Sequence, residues 1–170
     1  MASNHSVFLL RKAHDRASFD CGIESLNVFL KQHALQNSKA GYSKTYVMLA
    51  DGVPDVMAYY TICAGEFACA LLPPDELKKV PQYPVPVVRL CRLATDVKYQ
   101  KLGLGSAMLV DALRRAVQVS NHIGVRAVEV DALGDRARIF YQNFGFIPLT
   151  ENQNHLYISI QSAKQLVDEL

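Results

Sequence analysis

The pattern of apolar and polar positions predicts one helix and three strands in the first part of the chain. The segment Glu24–Asn37 places apolar residues at helical spacing with polar residues between them, which predicts a helix. Two apolar runs, Thr45–Ala50 and Val56–Cys63, flank the loop 51–54 and predict an antiparallel hairpin. A short apolar run, Val7–Leu10, predicts a strand ahead of the helix.

The second part of the chain has the pattern of a strand–helix–strand unit. A proline-rich stretch, 73–86, excludes long regular structure and predicts a surface loop. The elements predicted after it are a strand over 86–96, a helix to about Ser120, a strand over 125–132, a helix over Asp135–Asn143, strands over 146–149 and 155–160, and a tail helix over 162–170. The order β-α-β-β-β-α-β-α-β-β predicts one mixed α/β domain over residues 1–170, with a parallel centre.

Composition and charge narrow the class of protein. The chain has 170 residues and a formal net charge of +2, so no global basic field indicates nucleic acid, although a local basic face remains open. Its four cysteines form no CxxC pair, and its five histidines show no metal-ligand spacing. We therefore expect reduced thiols and no metal site. No apolar stretch approaches the roughly 18 residues of a membrane-spanning helix, which favours a cytoplasmic protein.

The segment Gln100–Gly105 follows a predicted strand, opens a predicted helix and fits the pattern Q-x-x-G-x-G. Two glycines at such a junction let backbone N–H groups approach a phosphate, and the helix N-terminus adds its positive dipole end. The glycine patterns of dinucleotide folds and of P-loops are both absent. Two interpretations remain at this point: a phosphate-binding loop, or glycines that only turn the chain.

A second sequence segment favours the interpretation of this loop as a phosphate-binding loop. Together with "DALGDRARIFYQNFGF", residues 131–146, the loop resembles motifs A and B of the GNAT superfamily of acetyl-CoA-dependent N-acetyltransferases. The resemblance implies a twisted mixed sheet with splayed parallel central strands and flanking helices. It also implies acetyl-CoA as co-substrate and no metal. The residues that it assigns to acetyl-CoA are Leu93, Ala94 and Thr95 for the pantetheine arm, Gln100, Lys101, Leu102, Gly103, Leu104, Gly105 and Ser106 for the phosphates, and Phe140.

Acetyl transfer to an amine needs a neutral amine, a stabilised oxyanion and a proton for the departing thiolate. The resemblance places Tyr141 where the family often has that acid, and a backbone amide near Leu93 or Ala94 is the expected oxyanion donor. The alternative is that Tyr141 is a core aromatic. Because Phe140 and Phe144 are four residues apart, they share a helix face that Tyr141 does not, and this favours a catalytic tyrosine.

No glutamate lies on the strand 88–94 to act as a base; the strand carries Arg89 and Arg92 instead. A lysine acceptor, with a pKa near 10.4, needs help to lose its proton, whereas an α-amine starts near 8. The missing base therefore indicates an acceptor that is already partly neutral. Glu66 and Asp131 remain possible bases that act through water.

A narrower resemblance covers most of the chain, from Phe19 to about Ile160. The segment "FDCGIESLNVFLKQHALQNSKAGYSKTYVM", with the motifs above, is similar to the toxin acetyltransferases of type II toxin–antitoxin modules. This implies acetylation of the α-amine of aminoacyl-tRNA, which blocks translation, and a ribbon-helix-helix antitoxin that makes the contacts with operator DNA. A homodimer is also implied. The resemblance does not say which aminoacyl-tRNA is acetylated.

A tRNA substrate requires cationic side chains that meet its phosphates. The candidates are Arg89, Arg92, Lys31, Lys39 and Lys44. The alternative for each lysine is an ordinary solvated helix face. Two other functions stay open at this stage: an acetyltransferase for a small amine or a protein N-terminus, and a non-catalytic regulator that binds acyl-CoA.

Overall fold

The computed structural model of the chain describes residues 4–170. Its strands are β1 (His5–Leu9), β2 (Lys44–Ala50), β3 (Ala58–Phe67), β4 (Val85–Thr95), β5 (Ala127–Asp131), β6 (Ile147–Pro148) and β7 (His155–Ser159). Its helices are α1 (Glu24–Val28), α2 (Ala34–Ala40), α3 (Pro74–Leu77), α4 (Leu104–Ser120), α5 (Asp135–Asn143) and α6 (Ile160–Asp168). The mixed α/β fold class is confirmed, and the predicted elements occur in the predicted order, with the addition of the short helix α3 inside the proline-rich stretch that was predicted to be a loop.

The sheet has seven strands in the order β1-β2-β3-β4-β5-β7-β6. β1 and β3 pair antiparallel with β2, and β7 pairs antiparallel with β5 and β6. The pair β4–β5 is parallel, as predicted for the centre of the fold, and its register runs from Val87↔Ala127 to Leu90↔Val130. β4 itself continues to Thr95, so its last residues lie beyond this register.

The predicted hairpin and the predicted first helix differ from the observed elements. The hairpin connection is longer than predicted, because the last β2–β3 pair is Met48↔Ala58 and the intervening backbone bonds elsewhere. Val56, for example, donates its N–H to the carbonyl of Asp15. The predicted first helix is interrupted by a π-helical turn, Phe29–His33, and it continues to Ala40 before Gly41 ends it with a φ of 82°.

The described chain divides into two compact units, and the first contains residues 4–63 together with Cys91–Ala112. Its core lies between the helices α1 and α2 and the strands β2 and β3, and Phe19, Leu30 and Tyr59 are almost fully buried there. The Tyr59 hydroxyl donates to the Leu26 carbonyl at 2.8 Å, which ties α1 to β3. The Sγ atoms of Cys63 and Cys91 lie 3.2 Å apart without a disulfide bond.

The second unit contains Ala64–Leu90 and Leu113–Leu170. Its core packs Phe67, Val87, Ala127 and Tyr157 together. Within the described part of the chain, no helix is both long and apolar enough to cross a membrane.

Candidate functional site

The glycine loop has an unusual backbone. After β4 the chain makes a 3₁₀ turn, Val97–Tyr99, and α4 begins at Leu104. Between them, Lys101 has a φ of 64° and Gly103 a φ of 81°. Positive φ favours glycine, which explains Gly103, while Lys101 is the one non-glycine residue between 4 and 170 with a positive φ.

The N–H groups of this loop are available to a ligand. No residue in the described chain accepts a hydrogen bond from the backbone N–H groups of Lys101 to Ser106. The side chains of Lys101 and Leu102 are exposed, and Gly103 has open space where a Cβ would lie. A row of unpartnered N–H groups that leads into a 17-residue helix suits an anionic phosphate, and the Lys101 ammonium adds a positive charge. The residues therefore fit the diphosphate of acetyl-CoA.

The Gln100 side chain anchors this loop to the protein. Its amide donates to the carbonyls of Cys21 and Thr95, at 3.1 and 3.0 Å. The buried Asp96 accepts from the N–H groups of Asp20 and Lys98 at 3.1 and 2.9 Å. Gln100 thus holds the loop through its side chain, a role that the motif pattern alone did not indicate.

Tyr141 lies inside the second unit, on α5. Its side chain is 6% exposed and packs against the rings of Phe140 and Phe146, with centroid distances of 5.2 and 5.4 Å. Burial raises the pKa of the Tyr141 phenol, so the hydroxyl stays protonated at neutral pH and is a proton donor there. No described residue bonds to this hydroxyl. Phe140 and Phe144 do pack together on one face, at 5.3 Å, as predicted.

Arg92 has an aromatic partner and no carboxylate. Its guanidinium lies 3.6 Å from the centre of the Phe29 ring, a cation–π contact. No carboxylate of residues 4–170 forms an ion pair with it. The charge of Arg92 is therefore available to an anionic ligand.

Lys31 and Lys39 belong to a basic surface in the first unit. Two shallow depressions of about 570 Å³ each lie there, and both are lined by Arg16 and Lys31. Lys12 and Asp15 line the first, and Lys39 lines the second. We call Lys12, Arg16, Lys31 and Lys39 the N-terminal basic surface. The sequence had not indicated Lys12 or Arg16, which lie in the irregular segment before the predicted helix.

Two other predicted cations have partners inside the protein. Lys44 donates to the Ser38 carbonyl at 2.9 Å, near the end of α2. Arg89 pairs with Glu129 at 3.2 Å and donates to the Glu66 carbonyl. Glu129 is buried on β5 and also contacts His155. The sequence had not indicated Glu129 or His155; a single glutamate within the apolar run "VRAVEVDA" was the available signal. Glu66 and Asp131, the bases suggested by the sequence, are both exposed.

No group of three or more His, Cys, Asp or Glu side chains within 4–170 is arranged to hold a metal ion.

The sequence matches the family described as "Acetyltransferase (GNAT) domain" over residues 56–148. It is also 40% identical over 157 residues to the "tRNA-acetylating toxin" of Mycobacterium tuberculosis, which covers 92% of this chain and 93% of that protein. The chain belongs to the GNAT acetyltransferase family. A second relative, the "Probable toxin TacT" of Sinorhizobium fredii, is 30% identical over 91% of this chain and 90% of its own length.

Solved GNAT toxin structures match the fold over nearly the whole chain. AtaT complexed with acetyl-methionyl-tRNAfMet superposes with a TM-score of 0.89 at 32% identity, covering 96% of this chain and 99% of that one. A Tyr-to-Phe mutant of AtaT, bound to the C-terminus of the antitoxin AtaR and to acetyl-CoA, gives 0.81 at 30%, covering 95% and 97%. The AtaT–AtaR complex bound to DNA gives 0.78 at 31%, covering 95% and 98%. The GNAT fold predicted from the motifs is thus confirmed, and the chain is an N-acetyltransferase that uses acetyl-CoA.

Gly103→Ala is expected to weaken acetyl-CoA binding about tenfold, because a left-handed backbone costs a non-glycine residue roughly 1–2 kcal/mol. The exposed loop can relax to avoid this strain, and binding must then restore the strained conformation. The measurement is the dissociation constant of acetyl-CoA by calorimetry, with Tm recorded alongside.

Gly52→Ala is the matched control for this substitution. Gly52 has a φ of 75° and equally open space around its Cβ position, but it lies in the loop after β2. This variant should lower Tm and leave acetyl-CoA binding unchanged. If both variants bind acetyl-CoA equally well, the loop does not hold the diphosphate.

Proposed function

We propose that this chain is a toxin that transfers the acetyl group of acetyl-CoA to the α-amine of an aminoacyl-tRNA and so blocks translation. The observation that carries the proposal is its 40% identity, over almost its whole length, to a tRNA-acetylating toxin. The likeness to AtaT in complex with acetyl-methionyl-tRNA supports the same substrate class. Residues 1–170 act as one acetyltransferase domain in this proposal.

The loop from Gln100 to Ser106 holds the diphosphate through its N–H groups, and Leu93, Ala94 and Thr95 hold the pantetheine arm. A backbone amide near Leu93 or Ala94 stabilises the oxyanion. Tyr141 donates a proton to the departing thiolate, because its phenol carries the proton at neutral pH. Phe140 packs against Tyr141 and orients it.

The tRNA backbone lies on the N-terminal basic surface. Lys31 and Lys39 are exposed and line its second depression. Arg16 is fixed beside them, because its guanidinium donates to the Leu30 carbonyl at 3.2 Å. A concentrated patch of this kind reconciles a net charge of only +2 with a polyanionic substrate. Arg92 contacts a phosphate near the acceptor end, whereas the internal partners of Arg89 and Lys44 favour structural roles for these two side chains.

An antitoxin and DNA complete the proposed set of partners. The related toxin AtaT forms a complex with its antitoxin AtaR, and that complex binds DNA. We propose a ribbon-helix-helix antitoxin for this chain, operator DNA bound through the antitoxin, a homodimeric toxin and a cytoplasmic location.

The test is to incubate the purified protein with acetyl-CoA and total charged tRNA, and then to identify acetylated aminoacyl groups by mass spectrometry. One or a few N-acetyl aminoacyl-tRNAs should appear, and the same preparation should stop translation in a cell-free system. Deacylated tRNA is the control and should remain unmodified. Acetylation of small amines or protein N-termini, without any acetylated aminoacyl-tRNA, would overturn the tRNA assignment.

A further inference from the structure

A buried carboxylate in the second unit has no role in the function proposed above. Glu129 lies on β5 with its side chain 5% exposed. Its Oε1 atom lies 3.2 Å from the nearer terminal nitrogen of Arg89, on β4, and 2.7 Å from Nε2 of His155, on β7. Burying a charge is costly unless the charge is paired. The partners of Glu129 come from β4 and β7, the two strands that flank β5. We call Arg89, Glu129 and His155 the β-sheet triad.

The ion pair with Arg89 determines how His155 presents its ring. An ionised carboxylate only accepts hydrogen bonds, so Nε2 of His155 carries the hydrogen and donates it to Glu129. In the neutral ring, Nδ1 then holds the lone pair. No residue between 4 and 170 donates a hydrogen bond to Nδ1. The His155 side chain is 19% exposed, which leaves an edge of the ring accessible to a ligand.

The triad lies at the end of the parallel strand pair. Arg89↔Glu129 is the second-last pair of the β4–β5 register, which stops at Leu90↔Val130. His155 is the register partner of Asp131, the last residue of β5. In open α/β sheets, ligands bind beyond the carboxyl ends of the parallel strands. His155 therefore lies beside the carboxyl end of β5, where a ligand is expected.

We propose that His155 is the base that takes the proton from the attacking α-amine, with Glu129 and Arg89 as positioning residues. This inference rests on the proposed function and supplies the base that the sequence did not reveal. The amine nitrogen forms a bond to the thioester carbonyl carbon, and the bond from that carbon to sulfur breaks. Before the attack, Nδ1 of His155 takes one proton from the α-ammonium group. On bond formation the nitrogen loses its second proton to solvent, and the thiolate gains its proton from Tyr141, which solvent then reprotonates.

The environment of His155 is suited to this task. The charged groups that face it are Glu129 from β5 and, through that carboxylate, Arg89 from β4; Asp131 is its exposed register partner. Phe67 from β3 presents only a ring, at 6.3 Å and nearly perpendicular. Glu129 thus stabilises the imidazolium that forms, while the aromatic contact restricts the orientation of the ring. Imidazole exchanges protons near neutral pH and is the commonest general base in enzymes.

His155→Gln is the decisive variant, because the glutamine amide can still donate to Glu129 but cannot accept the proton. We expect kcat/KM for aminoacyl-tRNA to fall about 100-fold at pH 7, the usual contribution of a general base. The defect should shrink as the pH rises towards 9, because the acceptor amine then loses its proton to solvent. Glu129→Gln should show a smaller defect with the same pH dependence. His122→Gln, in an exposed loop, is the control and should retain full activity.

Three outcomes separate this inference from the function on which it rests. Full activity of His155→Gln at pH 7 would overturn the role of His155 and leave the tRNA-acetylating function intact. A loss of activity that is the same at every pH would also overturn it, because that result indicates a purely structural contact. If the unmodified protein acetylates no aminoacyl-tRNA, the proposed function fails and this inference fails with it.

Discussion

Tyr141→Phe is expected to lower the rate of acetyl transfer by about 10²–10⁴-fold, the range usually contributed by a general acid. The substitution removes one hydroxyl from a side chain packed between Phe140 and Phe146, so the ring packing is retained. Without this donor, the thiolate of coenzyme A must take its proton from water. The measurement is the single-turnover rate of aminoacyl-tRNA acetylation, together with the growth of cells that express the variant. Growth arrest by the unmodified protein should disappear.

Tyr157→Phe is the matched control for this experiment. Tyr157 lies in the same unit, is 6% exposed like Tyr141, packs against an aromatic ring and has a pKa raised mainly by burial. It should lose no more than a few-fold in rate. Acetyl-CoA binding should be unchanged in both variants. If Tyr141→Phe retains activity within about threefold of the unmodified protein, Tyr141 is a core aromatic and another group protonates the thiolate.

The double variant Lys31→Glu, Lys39→Glu is expected to weaken tRNA binding about 100-fold at low salt, because each lysine is replaced by a charge that repels phosphate. The slope of log Kd against log salt should fall by about one for each phosphate that the variant no longer neutralises. Both side chains are exposed on the N-terminal basic surface, so the fold should tolerate the changes. The measurement is tRNA affinity by filter binding over a range of salt concentrations, with acetyl-CoA affinity in parallel.

The control changes the net charge equally at another place. Lys79→Glu together with Lys164→Glu alters two exposed lysines of the second unit, one of which forms only a weak surface ion pair with Glu76 at 3.7 Å. This pair should reduce tRNA affinity by less than the first pair and leave most of the salt slope intact. If the two double variants weaken tRNA binding equally, the effect reflects net charge and the N-terminal basic surface is not the binding site.

The basic surface shows how far sequence reasoning extends. Lys31 and Lys39 were identified as candidates because they lie on and just after the predicted helix Glu24–Asn37, which has a recognisable apolar period. Arg16 and Lys12 come from an irregular segment with no period, and the hydrogen bond from Arg16 to the Leu30 carbonyl places that segment beside the helix. Loops bring residues together through specific tertiary bonds, which local patterns do not encode.

The ends of the predicted elements show a different limit of sequence-based prediction. The helix Asp135–Asn143 was predicted to the residue, because its apolar pattern and the glycine after it are local signals. The hairpin loop was predicted too short, since the backbone after Pro54 bonds to a distant segment at Asp15. A bond between residues far apart in the chain leaves no mark in the local sequence.

The sequence by itself determined the order of elements, the GNAT motifs and the glycine loop, because each depends on short-range periodicity or on backbone freedom at single residues. It also identified Tyr141 and Gly103 as candidate site residues. Only the tertiary structure decided the partners of the charged side chains: Arg92 against Phe29, Arg89 with Glu129, and His155 beside the same carboxylate. The physical reason is that pairing energies depend on distances of a few ångströms between strands, and strand neighbours are fixed by the folded sheet.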